Sequence, residues 1–418
     1  SMIMCFMYLI MTKRLSALVA LILIPVIFAL IGWGLGFHID SLSHIEVGML
    51  GENMLEGIKK LAPTGVMLLF AIMYFALMID SGLFDPSIKW ILKMVKGDPL
   101  KITLGTVFLT LTVSLDGDGS TTYMICVAAM MPLYKRIGMN PLVMTCLMLL
   151  SSGVMNLTPW GGPTARAASA LQVDASHVFI PMIPSMLVAI IWLFFLAYLY
   201  GKYERKRLGV ISIDDISHAD NLTISKDPDA QRPHLRWFNG ILTLVLMAAL
   251  VKGILPMPIL FMLGFCIALV VNYPCLQMQK KRIATHADSV LAVVGVIFAA
   301  GVFTGILTGT GMVESMSKQF VALIPASMGP YMAPITGALS MPLTFFMSND
   351  AFYFGVLPIL AEAATQYGIE PVEIARASII GQPIHLLSPL VPSTYLLCGL
   401  AAVEFADHQK FTLKWAFM

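Results

Sequence analysis

Residues 157–164, Leu-Thr-Pro-Trp-Gly-Gly-Pro-Thr, return 230 positions later as residues 387–394, Leu-Ser-Pro-Leu-Val-Pro-Ser-Thr (387 − 157 = 230). The register holds upstream, where Gly138-Met139-Asn140-Pro141 meets Gly368-Ile369-Glu370-Pro371. Further back, Asp80-Ser81-Gly82-Leu83 meets Gly309-Thr310-Gly311-Met312 to within one residue. A chain built from two related halves must fold as a doubled architecture. The loops then decide whether the halves run in the same or in opposite senses.

The halves are membrane-embedded. Long apolar runs recur at 15–37, 66–79, 182–200, 237–251, 259–271 and 290–307, and only 12% of the residues are charged. At about 1.5 Å of rise per residue, such runs supply helices on the scale of a hydrocarbon core about 30 Å thick. Positive charge collects on the cytoplasmic side of membrane helices. In the first half Lys13-Arg14 is basic, 38–56 carries acids but no Lys or Arg, and Lys89, Lys93, Lys96, Lys101 and Lys135-Arg136 follow. In the second half the bias reverses: Lys280-Lys281-Arg282 stands where 38–56 stood, 313–330 has one Lys, and Glu362 and Glu370 replace Lys135-Arg136. Opposite bias at equivalent positions means opposite sidedness, so the repeats are inverted. The expected fold is an all-α polytopic membrane protein, with a first repeat over 1–200, a cytoplasmic linker over 201–236 and a second repeat over 237–418. The first half closes with the apolar run at 182–200, whereas the second stops at Met418 before its counterpart. Residues 2–11 are too short to span, and their counterpart 237–251 is longer. We therefore expect the natural chain to continue at both ends, with a final helix beyond 418.

Two segments are not ordinary spans. Arms at 102–115 and 121–133 flank Asp116-Gly117-Asp118-Gly119-Ser120, between two basic loops on one side of the membrane. An arm of about thirteen residues is roughly 20 Å long, too short to cross. The segment 102–133 is therefore expected to be a re-entrant hairpin. Its counterpart is 333–360, with arms at 333–346 and 351–360 and a tip at Ser348-Asn349-Asp350. Irregular backbone at membrane depth survives only where it lines a protein-enclosed or watery cavity, and carboxylates there are costly unless they work. Asp116, Asp118 and Asp350 are thus candidates for metal or proton binding.

The second paired element is a broken helix, over about 141–172 and 371–400. Asn140-Pro141 and Glu370-Pro371 open these helices with Pro at the first position, where the missing N–H is harmless. Each then runs into Pro and Gly at 159–163 or Pro at 389 and 392, which ends it and leaves N–H groups at Thr164 and Ser393-Thr394 facing a positive dipole end. Two such ends and two tips favour an anion of carboxylate type. The tip carboxylates would repel a bare polyanion. A divalent cation travelling with the anion, or protons on the Asp side chains, resolves the conflict.

At this point the chain resembles the bacterial citrate–divalent-metal:proton symporters of the ion transporter superfamily. The residues that carry the resemblance are 115–124 (Leu-Asp-Gly-Asp-Gly-Ser-Thr-Thr-Tyr-Met), 156–171 with its Pro-Trp-Gly-Gly-Pro core, 374–385 (Ile-Ala-Arg-Ala-Ser-Ile-Ile-Gly-Gln-Pro-Ile-His), 298–309 and 407–411. The resemblance implies a scaffold domain with a homodimer interface, and a transport domain moving as an elevator in the bacterial cytoplasmic membrane. It also implies a citrate–metal complex as cargo, coupled to protons, and no catalytic residue. The expected substrate contacts are Ser120, Thr121, Ser348 and Asn349 at the tips and Thr158, Gly161, Gly162, Ser388, Ser393 and Thr394 at the breaks. Arg166 pairs with a substrate carboxylate, pairs with a tip Asp or snorkels to the interface. His385 is either a proton carrier or a hydrogen-bonded core residue.

Other classes fit less well. An intramembrane aspartyl protease needs a Tyr-Asp pair that the chain lacks, although Gly117-Asp118 is present. A phosphotransferase of the CDP-alcohol type needs further spaced Asp residues, and the forty positions after Asp118 hold none. Asp-x-Asp-Gly without a closing acid is not an EF-hand. The net charge of +2 gives no reason for a nucleic-acid partner, and the six cysteines show no metal-ligand spacing. Among transporters, a sodium-coupled di- or tricarboxylate carrier on the same fold is the alternative.

Overall fold

The computed structural model describes residues 2–12, 14–34, 47–86, 94, 97–117, 119–210, 227–312 and 326–417. Asp118, Lys13, Lys89, Lys93, Lys96, residues 38–46 of the acidic loop, residues 313–325 and linker residues 211–226 lie outside that set, as does the side chain of Asp116. Among the described residues every regular element is helical, with no strand. Met49–Asp80, Ala175–Leu208 and Val290–Gly309 are long and apolar enough to cross a membrane.

The chain forms two compact units, each assembled from separated segments. The first comprises Ser1–Leu69, Gly162–Met182 and Asp288–Leu390, the second Phe70–Gly161, Ile183–Ala287 and Val391–Met418. The chain passes between units at each helix break, entering new segments at Gly162 and Val391. Those residues are 229 apart (391 − 162 = 229), the sequence repeat to within one position.

In the first unit, the helices α1 (Met2–Met11), α2 (Ala17–Gly34) and the leading part of α3 (Val47–Asp80) precede the hairpin. Small residues let α3 approach a long partner at residues 276–309. A Cβ on Gly57 would lie 2.0 Å from the Gly301 carbonyl oxygen, and one on Gly305 would lie 2.2 Å from that of Asn53. Contact this close between backbones is what glycine contributes at membrane helix interfaces, where exclusion of water drives nothing.

The second unit holds α4 (Pro99–Val113), a 3₁₀ turn at Ser114–Asp116, α5 (Gly119–Ile137), α6 (Pro141–Met155) and, after α7 (Gly162–Ala170) and α8 (Ala175–Phe179) of the first unit, α9 (Ile183–Leu208). Asp98 caps α4 by accepting from the Leu100 N–H at 3.1 Å, and Asn140 caps α6 by accepting from the Leu142 N–H at 2.9 Å. Each cap precedes a Pro at the first helical position, the arrangement expected of helix starts. The 15 residues of α4 measure about 22 Å, short of a membrane crossing. Its partner arm is longer than its apolar stretch: α5 runs 19 residues, through Pro132 to Ile137, and so includes Lys135 and Arg136. Along α4 the hydroxyls of Thr106 and Thr110 donate back to the Ile102 and Thr106 carbonyls, so their burial leaves no donor unmet. Thr103 donates across to the Ala197 carbonyl of α9 at 2.8 Å.

The unit continues with α10 (Arg236–Lys252), α11 (Met257–Asn272) and the start of α12 (Leu276–Gly309). The end of the linker is packed, not merely strung between helices. Ala230 is fully buried, the Arg232 N–H donates to the Ser81 carbonyl, and Asp227 pairs with Lys281 at 2.9 Å and with Arg282. Arg282 also reaches Asp80 at 3.2 Å, and His286 meets the same carboxylate at 2.9 Å.

The second hairpin, in the first unit, is α13 (Met332–Phe346), the tip, a π-helical turn at Ala351–Val356 and α14 (Leu357–Thr365). The second broken helix is more fragmented than the first. It reads α15 (Pro371–Ser378), a 3₁₀ turn at Ile379–Gly381, α16 (Gln382–His385) and, in the second unit, α17 (Pro392–Ala401) and α18 (Phe405–Ala416). The additional interruption has two local causes. Pro383 has no N–H to give the carbonyl four residues back and crowds it. Gly381 also abuts α13: a Cβ there would lie 2.6 Å from Ser340 Oγ and 2.8 Å from the Ser340 carbonyl carbon.

Candidate functional site

Each unit gathers one hairpin tip, the near side of one break and the far side of the other.

In the second unit the first tip closes on Gly117, whose φ of +77° lies in the left-handed region that glycine enters freely. The tip is pinned by Trp160, whose Nε1–H donates to the Leu115 carbonyl at 2.9 Å. Trp160 is in turn held by Phe75 and Phe261, with ring centroids 5.2 Å away in both cases. The break beside it is tight. The Gly161 N–H donates to the Thr158 carbonyl at 2.8 Å, and a Cβ on Gly161 would stand 2.2 Å from the Asn156 carbonyl oxygen. Thr158 gives its hydroxyl proton to the Met155 carbonyl at 2.9 Å. What Thr158 retains for a ligand is therefore oxygen lone pairs. Ser120 and Thr121 open α5, and Ser393 and Thr394 open α17, which packs along it. A Cβ on Gly119 would lie 3.5 Å from Ser393 Oγ, so the backbone of the tip and the second break's far side are neighbours.

In the first unit the second tip carries the clearest electrostatic feature. Arg166, one turn into α7, donates from Nε to Asp350 Oδ1 at 2.6 Å, with both side chains about four-fifths buried. Of the three roles open to Arg166 in the sequence, this structure has it paired with the tip Asp. The Arg166 Nη1 also lies over Gly162, where a Cβ would be 2.8 Å away. Ser348 caps the next turn by accepting from the Ala351 N–H at 3.2 Å. The turn after Asp350 is π-helical, a wide winding often found at functional positions.

The near side of the second break is stitched to α13. His385 lies 2.6 Å through Nδ1 from the Thr344 carbonyl, which can only accept, so Nδ1 carries the proton. Ser388 donates to the Phe345 carbonyl at 2.6 Å and accepts from the Leu390 N–H. Two residues the sequence reading passed over join this cluster. Gln382, fully buried, donates to the Tyr353 hydroxyl at 2.9 Å and to Asn349 Oδ1 at 3.2 Å. An amide set in the apolar run 379–384 is costly in a membrane, and that cost is the signal by which sequence alone could have singled Gln382 out. Among the described residues no three His, Cys, Asp or Glu side chains gather as a metal-ligand set.

Outside the membrane segments, the Asp227 carboxyl is pulled down to about 2 by hydrogen bonds from Lys281 first and Arg282 second. That cluster holds the linker and is remote in sequence from tips and breaks.

Residues 6–381 match the family model described as CitMHS, citrate transporter. The chain is 61% identical over 418 residues to the citrate transporter of Bacillus subtilis (strain 168), covering 99% of this chain and 94% of that protein. It is 54% identical over 417 residues to the Mg(2+)/citrate complex secondary transporter of the same organism, covering 100% and 94%. Among solved structures it is similar in fold to the Alcanivorax borkumensis YdaH transporter, with a TM-score of 0.59 and 13% identity over 90% of this chain and 86% of that one.

Proposed function

The chain belongs to the CitMHS citrate transporter family, and from that premise we propose that it imports citrate as a complex with a divalent metal ion, coupled to protons. It is a transporter and not an enzyme. The observation that carries the choice of cargo is the Arg166–Asp350 pair at 2.6 Å in the second tip. A site that offers a guanidinium and a carboxylate side by side suits a ligand that itself carries both signs. A bare citrate trianion would meet Asp350, and a bare dication would meet Arg166. The complex brings carboxylates to the arginine and a partly neutralised cation to the oxygens.

In this reading the first tip offers a cation the carboxylates of Asp116 and Asp118, the lone pairs of Thr158 and the hydroxyls of Ser120 and Thr121. The second tip offers the complex Arg166, Asn349 and the backbone N–H groups that open α7 for citrate carboxylates, and Asp350 for the cation. The metal is cargo, in the magnesium or calcium class of hard cations. The same reading makes the protein a homodimer of the bacterial cytoplasmic membrane, built from two inverted repeats and working by elevator-type alternating access. The test is uptake of labelled citrate into proteoliposomes under an inward proton gradient, without sodium, with EDTA or with a series of divalent cations. Uptake that needs both gradient and cation supports the reading. Uptake that survives EDTA and demands sodium overturns it in favour of a sodium-coupled carboxylate carrier on this fold.

A further inference from the structure

We infer that Gln382 is a positioning residue that sets which end of the Asn349 carboxamide faces the cargo, so that the second tip offers citrate an N–H donor. The inference rests on the metal–citrate reading above and assigns a residue that reading does not use.

Ser378, Tyr353, Gln382 and Asn349 form a chain of hydrogen bonds whose polarity is set at one end. The Ser378 carbonyl is a backbone oxygen and only accepts; the Tyr353 hydroxyl donates to it at 3.5 Å. With its proton so directed, the Tyr353 oxygen accepts from Gln382 Nε2 at 2.9 Å. That places the amino group, not the carbonyl, of Gln382 on this side. Its second N–H meets Asn349 Oδ1 at 3.2 Å. The amide of Asn349 therefore turns its oxygen inward. Its Nδ2 has one long contact back to Gln382 Oε1 at 3.5 Å and a further N–H to give elsewhere. Tyr353 and Gln382 are fully buried, whereas Asn349 is half-buried and stands beside Asp350, the partner of Arg166. Tyr353 and Gln382 thus form a buried support, and Asn349 is the exposed end of the relay. Orientation matters because an amide oxygen is a metal ligand and an amide N–H is a carboxylate donor, and an unsupported Asn side chain can rotate to offer either. A site is only as specific as the shell that holds it.

Gln382→Glu replaces the donor by an acceptor and calls for the opposite turn of Asn349. In proteoliposomes supplied with magnesium and citrate, the KM for the complex is expected to rise about tenfold, with the maximal rate changed less. A new negative charge near the cargo would also raise KM, so the decisive measurement is the cycle with Asn349→Ala. If Gln382 acts through Asn349, Gln382→Glu has little further effect in the Asn349→Ala background, whereas a charge or folding effect persists there. Tyr353→Phe, which removes the acceptor that sets the polarity, gives a second cycle if Gln382→Glu does not fold; its rise in KM is expected to be about threefold and likewise to vanish without Asn349. A Gln382→Glu protein with the wild-type KM, or an effect undiminished in Asn349→Ala, overturns the inference alone. A wild-type protein that does not transport the complex overturns the metal–citrate reading first, and this inference with it.

Discussion

Arg166 and Asp350 are 184 positions apart in sequence, and their 2.6 Å contact is a pairing between the far side of one break and the tip of the other half's hairpin. Both side chains are largely buried, so removing one partner strands the other; truncation of such pairs costs several kcal/mol, much of it the cost of an unpaired charge. Two variants separate charge from geometry. Asp350→Asn keeps shape and removes charge, and is expected to lower metal-dependent citrate uptake at least tenfold in protein that remains monodisperse. Arg166→Lys keeps charge and loses the planar fork, and is expected to raise KM about tenfold, equivalent to about 1.4 kcal/mol. Wild-type uptake kinetics in both would remove the second tip from the transport site. At this scale the sequence was partly legible. Carboxylates at a hairpin tip announce themselves by their cost in a membrane, whereas the sequence leaves three roles open to Arg166 and none marked for Gln382. Arg166 finds its partner 184 residues away and Gln382 its partners 29 and 33 residues away, by packing and not by any local pattern.

Elements are where sequence and structure agree most closely, because helix starts and breaks have local chemistry. Asn140-Pro141 opens a helix, Gly161 ends a turn that admits no side chain, and Pro392 begins the helix beyond the second break. The π-helical turn after Asp350 and the early 3₁₀ interruption at Ile379–Gly381 were less legible, the first because winding depends on what the turn packs against. The contact of α3 with α12 makes a paired prediction. Gly57→Ala would drive a Cβ to 2.0 Å from a backbone oxygen and is expected to cost about 2 kcal/mol, read as a lower unfolding midpoint in detergent. Gly51→Ala, in the same helix with nothing within 4 Å of its Cβ, is expected to be neutral or slightly stabilising. The linker gives a pH signature. Because the Asp227 carboxyl is depressed to about 2, its ion pairs add stability above the ordinary carboxylate value of about 4, and that contribution is lost as pH falls from there towards 2. Asp227→Asn should therefore melt below the wild type at pH 6, with the gap narrowing below pH 4. A gap that stays constant to pH 2.5 would assign the effect to something other than this carboxylate.

For the whole molecule, the proposed inverted repeat predicts that Ile45→Cys and Ile283→Cys label from opposite sides of the membrane, once the exposed native Cys266 and Cys275 are replaced. Labelling from one side would refute the inversion and, with it, alternating access by paired hairpins. The sequence by itself determined that the chain is an all-helical membrane protein, and its Pro and Gly mark where helices stop, before Gly162 and before Pro392. Apolar length and the backbone chemistry of Pro and Gly are properties of short segments, so they carry over from sequence to helix. Only the tertiary structure decided how those segments are shared. Each helix break sends its near side into one compact unit and its far side into the other, so that the second tip finds Arg166 and the first finds Ser393. That exchange is invisible to any reading along the chain, since it depends on which buried surfaces close upon each other when hydrogen bonds and apolar contacts are satisfied together.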